Sequence, residues 1–332
     1  MLYLSTVTPV YAGAPYLERL IFEINNLRVD LLATQHIRFK EAYFVVDGTH
    51  DGSYEVLENL KKQFDWVMPI ELSKNYGQHP ATKAGVKLTD SDFVVTLDED
   101  LQHRPHEIKK MLHYMIENQA DIVYASSAGR IHQSHLRNFC SVAVKKFLGY
   151  LAGNQNFTNF NSFRLINGSI ARSAASIRGV DVYFDIALSW FSNRVVTAPV
   201  ELVDIRINDG KLSSYSVKAL FSHARRMAIS TNTKIPRFLA LLGFAAVCFS
   251  GVLAINIIYQ KLFSESLSNT SGWASLSVTL LFFGGILTLM LSFVLEYITY
   301  ITLTIMGKPN FSYIKRIPLD LLREDSAQLY RG

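Results

Sequence analysis

The sequence predicts an α/β domain on a mostly parallel sheet, followed by a pair of membrane-spanning helices. Three observations predict it. Apolar runs of strand length repeatedly end in turns rich in Asp, Gly and Asn and then give way to helix-like stretches, the rhythm of strand-turn-helix units. One of these runs delivers two carboxylates, spaced i and i+2, to its own end. The last third of the chain holds two apolar stretches of more than 20 residues each.

The first run, residues 2–11, is strand-like and closes in a turn containing Pro9 and Tyr11. The second, Ala42-Tyr43-Phe44-Val45-Val46, enters Asp47-Gly48-Thr49-His50-Asp51-Gly52-Ser53. Alone, this would be a β-to-α turn whose Ser53 or Asp51 caps the next helix. Ile70-Glu71-Leu72 then leads into Ser73-Lys74-Asn75-Tyr76-Gly77-Gln78-His79, and Val94-Val95-Thr96-Leu97 into Asp98-Glu99-Asp100-Leu101-Gln102. Because strand side chains alternate, Asp98 and Asp100 are expected on one side, where they can share a hard divalent cation and the phosphate oxygens it bridges. An isolated Asp-x-Asp at a strand end is usually a solvated turn. Four strand ends offering polar groups to one crevice, outside the carboxyl ends of a parallel sheet, point instead to a nucleotide site.

Toward the C-terminus, residues 235–259 carry one charge, Arg237, and residues 275–306 carry one, Glu296. Each stretch is long enough to cross about 30 Å of hydrocarbon. Lys218, Arg225, Arg226, Lys234 and Arg237 border the first, and Lys308, Lys315, Arg316 and Arg323 follow the second, whereas the connecting loop holds one Lys and one Glu. The positive-inside rule then places both termini and the N-terminal domain in the cytoplasm, as in a bacterial inner membrane. Met1 leads directly into a strand, so no signal peptide is expected. The expected division is a domain at 1–225, a juxtamembrane linker at 226–234, two helices within 235–307 and a cytoplasmic tail at 308–332. Residues 135–153 also read as an amphipathic helix, suited to the membrane surface or to covering the sheet.

The formal charge of +5 is modest, and its basic residues cluster beside the apolar stretches. That distribution suits membrane lipid; no nucleic-acid module is recognisable. Cys140 and Cys248 give neither metal-ligand spacing nor a disulfide framework.

In order, these motifs resemble the family-2 glycosyltransferases of GT-A fold, a Rossmann-like architecture, and more narrowly the polyprenyl-phosphate glycosyltransferases. That group includes dolichyl-phosphate mannose synthases, bactoprenol glucosyltransferases and undecaprenyl-phosphate aminoarabinose transferases. Thr8-Pro9-Val10-Tyr11 is similar to their I-P-V-Y-N, and Val46 to Ser53 to D-D-G-S-x-D-G-S. Leu72 to His79 is similar to L-x-R-N-x-G-Q-H, Leu97 to Pro105 to the D-A-D-L-Q-x-P-P block, and Ser162-Phe163-Arg164-Leu165 to D-F-R-L.

The resemblance implies inverting transfer of a sugar from a nucleotide-sugar donor to a polyprenyl phosphate on the cytoplasmic leaflet, with Mg2+ or Mn2+ held by Asp98 and Asp100. Asn75 to His79 is most similar to the aminoarabinose type, which implies a uridine donor over guanosine. Gln102 is implied beside the metal and diphosphate. Pro9, Tyr11, Asp47, Asn75, Gln78, His79 and Glu99 are implied around the nucleotide sugar, and Arg130, Arg137 and Arg164 around diphosphate or acceptor phosphate. A homo-oligomer is compatible with the amphipathic and membrane helices.

Three positions depart from the family pattern, one of them the Arg that relatives tend to carry near Ser127, where only Arg130 remains nearby. Val46 replaces the first acid of its motif, and Ser162 replaces the acid before Phe-Arg-Leu, leaving Asp185 to substitute as base. These losses motivate an alternative, a degenerate nucleotide-binding membrane scaffold. A polysaccharide synthase of the same fold is a further alternative, although Trp190 lacks the Gln-x-x-Arg-Trp context such enzymes carry.

Overall fold

The computed structural model describes residues 1–49, 51–127, 160–177, 182–201, 272–305 and 310–313, with isolated positions between 243 and 259. In chain order, β1 (Leu2–Val10) leads to α1 (Ala14–Leu32), β2 (Ile37–Val46) to α2 (Ser53–Lys61), β3 (Val67–Glu71) to α3 (Gln78–Leu88), and β4 (Phe93–Thr96) to α4 (Ile108–Glu117). There follow β5 (Ile122–Ser127), β6 (Arg164–Asn167), α5 (Gly168–Ala175), α6 (Phe184–Ser189), β7 (Val195–Val200) and the long α7 (Gly272–Ile305).

The seven strands form one sheet in the order β3-β2-β1-β4-β6-β5-β7. It is parallel except at β6, which runs antiparallel to β4 and β5. From β1 the chain moves outward through β2 to β3 and then returns to β4 on the other side of β1. The crossover direction therefore reverses between β1 and β4, and the loops leaving their carboxyl ends diverge to open a crevice. Val10 pairs with Val46 and Val7 with Thr96, so the turns after β1, β2 and β4 begin side by side.

Strand periodicity sorts the core into two layers. Phe44, Val46 and Val95 face the side that holds Leu17, Leu20, Ile21 and Ile24 of α1 and Met111 of α4. Tyr43, Val45 and Val94 face the other, against Ala81 and Ala84 of α3 and Ala171 and Ala174 of α5. The small residues of α3 allow close approach. A Cβ at Gly85 would stand 2.5 Å from a Val7 methyl, so no larger residue fits there without moving the helix. Each large aliphatic side chain buried here contributes about 1.5–3 kcal/mol.

The sequence places its third strand end correctly, but β3 starts earlier, at Val67. At 34 residues, α7 is about 50 Å long, more than a hydrocarbon core requires. Its Phe282–Thr299 stretch is apolar and unburied. Thr288, Thr299 and Thr302 donate their hydroxyls to carbonyls four residues back, at 2.8–2.9 Å, which satisfies those polar groups inside the helix. This helix coincides with the second expected span. The first span lies outside the described residues apart from isolated helical positions, as does the amphipathic stretch at 135–153.

Candidate active site

A cleft of about 390 Å³ opens at the carboxyl ends of the first four strands. Pro9, Val10 and Tyr11 line it from β1, Asp47 from β2, Asn75, Gly77 and Gln78 from the turn after β3, and Asp98, Glu99 and Asp100 from the turn after β4. Gln102 and His79 belong to the same turns without lining the described cleft, and the His79 ring packs 4.2 Å from that of Tyr183.

Asp47 sits at the end of β2, 3% exposed. Its Oδ1 accepts the Tyr76 N–H at 2.7 Å and its Oδ2 the Gly77 N–H at 2.6 Å. Burial pushes this carboxyl above its ordinary pKa, and the two amide bonds pull against it. The turns after β2 and β3 are thereby tied together. They also touch: Gly48 has φ +61°, and a Cβ there would lie 2.1 Å from the Lys74 carbonyl carbon, so this position takes only glycine.

After β4 the strand geometry stops at Thr96, and Asp98 to Asp100 occupy a turn. Asp98 and Asp100 share the cleft as expected, but through a turn rather than strand alternation, so Glu99 between them reaches it as well. Glu99 turns back to β1 and accepts the Tyr11 N–H at 2.9 Å and the Ala12 N–H at 3.2 Å. Burial raises its pKa against these two amides. Whatever contact it makes with a ligand, Glu99 already fixes the turn that opens α1.

Asp98 accepts from Gln78 Nε2 at 2.7 Å through Oδ1 and from Ser162 Oγ at 2.7 Å through Oδ2. The hydroxyl that replaces the family acid thus points at the first Asp of the pair. His103 Nδ1 lies 3.7 Å from the same carboxylate but accepts the Asp98 backbone N–H at 3.0 Å. Burial holds His103 below its ordinary pKa, so this nitrogen is a lone-pair acceptor and the contact is no ion pair. The ring stacks on Phe163 at 4.9 Å. Asp100 Oδ1 accepts the Gln102 N–H at 3.3 Å, which closes a tight turn around Leu101. Leu101 has φ +62° with its side chain buried, a conformation that costs a non-glycine residue on the order of 1 kcal/mol or more.

Arg164 and Asp185 are offered by the sequence as a phosphate holder and a substitute base, and the structure places neither in the described lining. Arg164 is 2% exposed and Asp185 5%. The guanidinium donates through Nη1 to Asp185 Oδ1, which also accepts Tyr124 Oη at 3.0 Å. Its Nε donates to Thr96 Oγ1 at 2.9 Å, and Thr96 Oγ1 donates to the Ser162 carbonyl at 2.6 Å. Burial opposes the Arg164 charge, and Asp185 more than restores it; burial pushes the Tyr124 hydroxyl well up. These residues form a buried ion pair beneath the cleft. Arg130 and Arg137 lie outside the described residues.

Sequence reasoning passed over Thr96, His103 and Tyr124. For His103 the signal was its place inside the Leu97 to Pro105 block. Thr96 and Tyr124 carried none, because each is one polar residue in an apolar strand.

Among the described residues, the lining holds four carboxylates and no basic side chain. In the bonds described, Asp47, Asp98 and Glu99 are held by neutral donors. Asp98 and Asp100, two hard oxygen donors on one turn, are chemically suited to Mg2+ or Mn2+ and would need further oxygen ligands from outside the described side chains. Each oxygen keeps a lone pair beyond the bonds described.

The chain matches the family model "Glycosyl transferase family 2" over residues 5–178, more than half its length. It is 24% identical over 291 residues to an undecaprenyl-phosphate 4-deoxy-4-formamido-L-arabinose transferase of Photorhabdus laumondii, covering 87% of this chain and 88% of that protein. With the transferase of the same name from Proteus mirabilis the identity is 25%, covering 94% and 93%. An uncharacterized glycosyltransferase of Bacillus subtilis is 26% identical, covering 89% and 88%. Among solved structures, glucosyl-3-phosphoglycerate synthase of Mycobacterium tuberculosis in complex with UDP aligns at TM-score 0.46 and 12% identity, covering 69% of this chain and 78% of that one. With its motifs assembled at the carboxyl ends of a mostly parallel GT-A-type sheet, the chain belongs to glycosyl transferase family 2 and is a glycosyltransferase.

Proposed function

We propose that this glycosyltransferase is membrane-anchored and inverting, and that it moves a sugar from a nucleotide diphosphate, uridine favoured over guanosine, to a polyprenyl phosphate on the cytoplasmic leaflet. The observation that carries the proposal is the charge of the cleft: four carboxylates with no basic side chain among the described lining. Such a surface repels a bare diphosphate, so a donor of this class enters with a divalent cation. Asp98 and Asp100 would hold it. When bound, it supplies neutralisation of the negative charge that builds on the departing diphosphate.

The chain's own residues do the positioning. Pro9, Tyr11 and Asp47 form the wall suited to the base and ribose, and Asn75 and Gln78 the edge toward the sugar. Gln78 and Ser162 fix the Asp98 carboxylate in one orientation, which removes that ordering cost from the reaction. In the transfer, an oxygen of the acceptor phosphate forms the new bond to the anomeric carbon from the face opposite the diphosphate. The carbon-oxygen bond to the diphosphate breaks and its electron pair leaves with that group. The attacking oxygen is already anionic near neutral pH, so no base must remove a proton. This agrees with Asp185 being tied to Arg164 and with a serine at position 162.

The apolar length of α7 and the names of the relatives support a lipid acceptor and a membrane anchor. The division into a domain at 1–225, two spans and cytoplasmic ends belongs to the same proposal. The test is to incubate the purified full-length protein with undecaprenyl phosphate and a panel of UDP- and GDP-sugars, and to weigh the lipid. A lipid one glycosyl residue heavier, formed with Mg2+ or Mn2+ and lost in excess chelator, is the expected result. Transfer that persists in chelator, or sugar delivered only to a hydroxyl acceptor, overturns it.

A further inference from the structure

The chain beyond α7 returns to the sheet. Tyr313 forms an antiparallel bridge with Leu72, directly after β3, and the Ser73 N–H donates to the Ser312 carbonyl at 2.9 Å. Tyr313 Oη donates to the Ala84 carbonyl of α3 at 2.9 Å. Phe311 packs into the core layer shared by Leu72, Ala81 and Tyr76, and its ring meets that of Tyr313 at 5.4 Å. Asn310 Nδ2 reaches the Ile177 carbonyl at 3.4 Å.

These contacts fall where the cleft is built. β3 is the sheet's outer strand, and the four residues after Ser73 include Asn75 and Gly77, which line the cleft. On the inner side the same turn is held by Asp47 through the amides of Tyr76 and Gly77. Gln78, the first residue of α3, orients Asp98. Residues 310–313 therefore grip both flanks of one turn, its entry at Leu72 and Ser73 and its exit helix at Ala84. They are also close to the membrane helix. Five residue steps separate Ile305 from Asn310, so the end of α7 lies within about 18 Å of this grip.

We infer that residues 310–313 are a positioning clip for the donor-side turn at 73–78, with Phe311 and Tyr313 as its positioning residues, which fixes that wall of the cleft close to the end of α7. That these residues shape donor binding rests on the reading above; that they order the turn does not. The physical reason is the weakness of the turn on its own. It has positive φ at Gly77, and lies next to a strand that, among the described residues, pairs with β2 on one side and meets the clip on the other.

The test uses the full-length protein in detergent micelles, with two readouts. Phe311→Ala should speed hydrogen exchange of the 73–78 amides about tenfold or more, with Ser73 most affected, while α1 and α4 keep their protection. In the transfer assay it should raise KM for the nucleotide sugar about tenfold and leave kcat and the acceptor KM within about twofold. Phe311→Leu, which keeps an apolar anchor, should restore both. If Phe311→Ala does not fold, Tyr313→Phe carries the test; it removes only the hydroxyl bond to Ala84 and should raise exchange of the turn a few-fold. Unchanged exchange of 73–78 in a folded variant, or an effect confined to the acceptor KM, overturns the inference. Should no lipid product form with the wild-type protein, the exchange experiment still decides the clip.

Discussion

Asp98 in the cleft and Asp185 beneath it each accept hydrogen bonds from two side chains, but the donors differ in charge. Asp98 is met by the amide of Gln78 and the hydroxyl of Ser162, both neutral. Asp185 is met by the guanidinium of Arg164 and the hydroxyl of Tyr124. In the first arrangement the carboxylate is oriented and its charge remains available to a ligand. In the second the charge is cancelled inside the fold, and the acid serves as a buried support. Residue type alone would give both acids the same chemistry; the donors separate them.

The largest expected effect falls on the cleft side. Asp100→Asn should lower transfer by about 10³-fold or more while leaving the circular dichroism spectrum and unfolding midpoint near wild type, because it removes a charged oxygen where charge must be balanced. A variant with near-normal turnover would show that the cleft's charge is not used.

Asp185→Asn should instead act on stability. It leaves the Arg164 guanidinium buried without its counter-charge, which costs about 3–5 kcal/mol and is readable as a drop in the urea midpoint. An acid acting as a relocated base would give the opposite pattern, unaltered stability with a rate loss of about 10²–10⁴-fold. Pairing Asp185→Leu with Arg164→Met should recover much of the lost stability, since neither charge is then stranded.

Ser162→Ala sharpens the comparison with a smaller effect. It deletes one of two neutral donors to Asp98, and a net hydrogen bond to a charged group is worth about 1.5–3 kcal/mol. Because Gln78 remains, kcat/KM should fall about tenfold at most, and Ser162→Thr, which keeps the hydroxyl, should lose less. A fall as large as that of Asp100→Asn would mean that the hydroxyl touches the reacting groups.

The smallest effect belongs to a third acid, Asp121, itself buried but paired with an exposed arginine. Asp121 accepts from Arg194 at 2.7 and 2.9 Å and from Ser192 at 2.6 Å. Burial opposes its ionisation, and these bonds outweigh burial to hold its pKa below the ordinary value. Its contribution to stability is therefore present above the unfolded-state value of about 3.9 and is lost as pH falls through the lower folded value. Asp121→Asn should flatten the decline of urea stability below about pH 4 because the contribution is then already missing at pH 7, where stability should fall by the modest worth of one partly exposed ion pair. Wild-type stability at pH 7 with the acid decline intact would show that the charge of Asp121 contributes nothing.

Much of the cleft was legible because its signals are local. Strand-length apolar runs ending at Val10, Val46 and Thr96 point their following residues into one crevice wherever a parallel sheet forms, so Tyr11, Asp47 and Asp98 could be placed together from order alone. The buried pair beneath the cleft was less legible. Arg164 read as a phosphate holder and Asp185 as a substitute base, yet they are partners across a sequence gap of 21 residues. Nothing in either segment specifies the other.

The sequence by itself determined the α/β architecture, the family, the four strand-end turns that meet in the cleft, and an apolar helix long enough to cross a membrane. Those features follow from periodicity and from motifs of a few consecutive residues. Tertiary structure alone decided that Glu99 braces the turn after β1, that Ser162 orients Asp98, that Asp185 is spent on Arg164, and that residues 310–313 grip the turn after β3. Each of these depends on which hydrogen-bond donor reaches which acceptor once distant segments pack, and that pairing is set by three-dimensional register rather than by any local pattern.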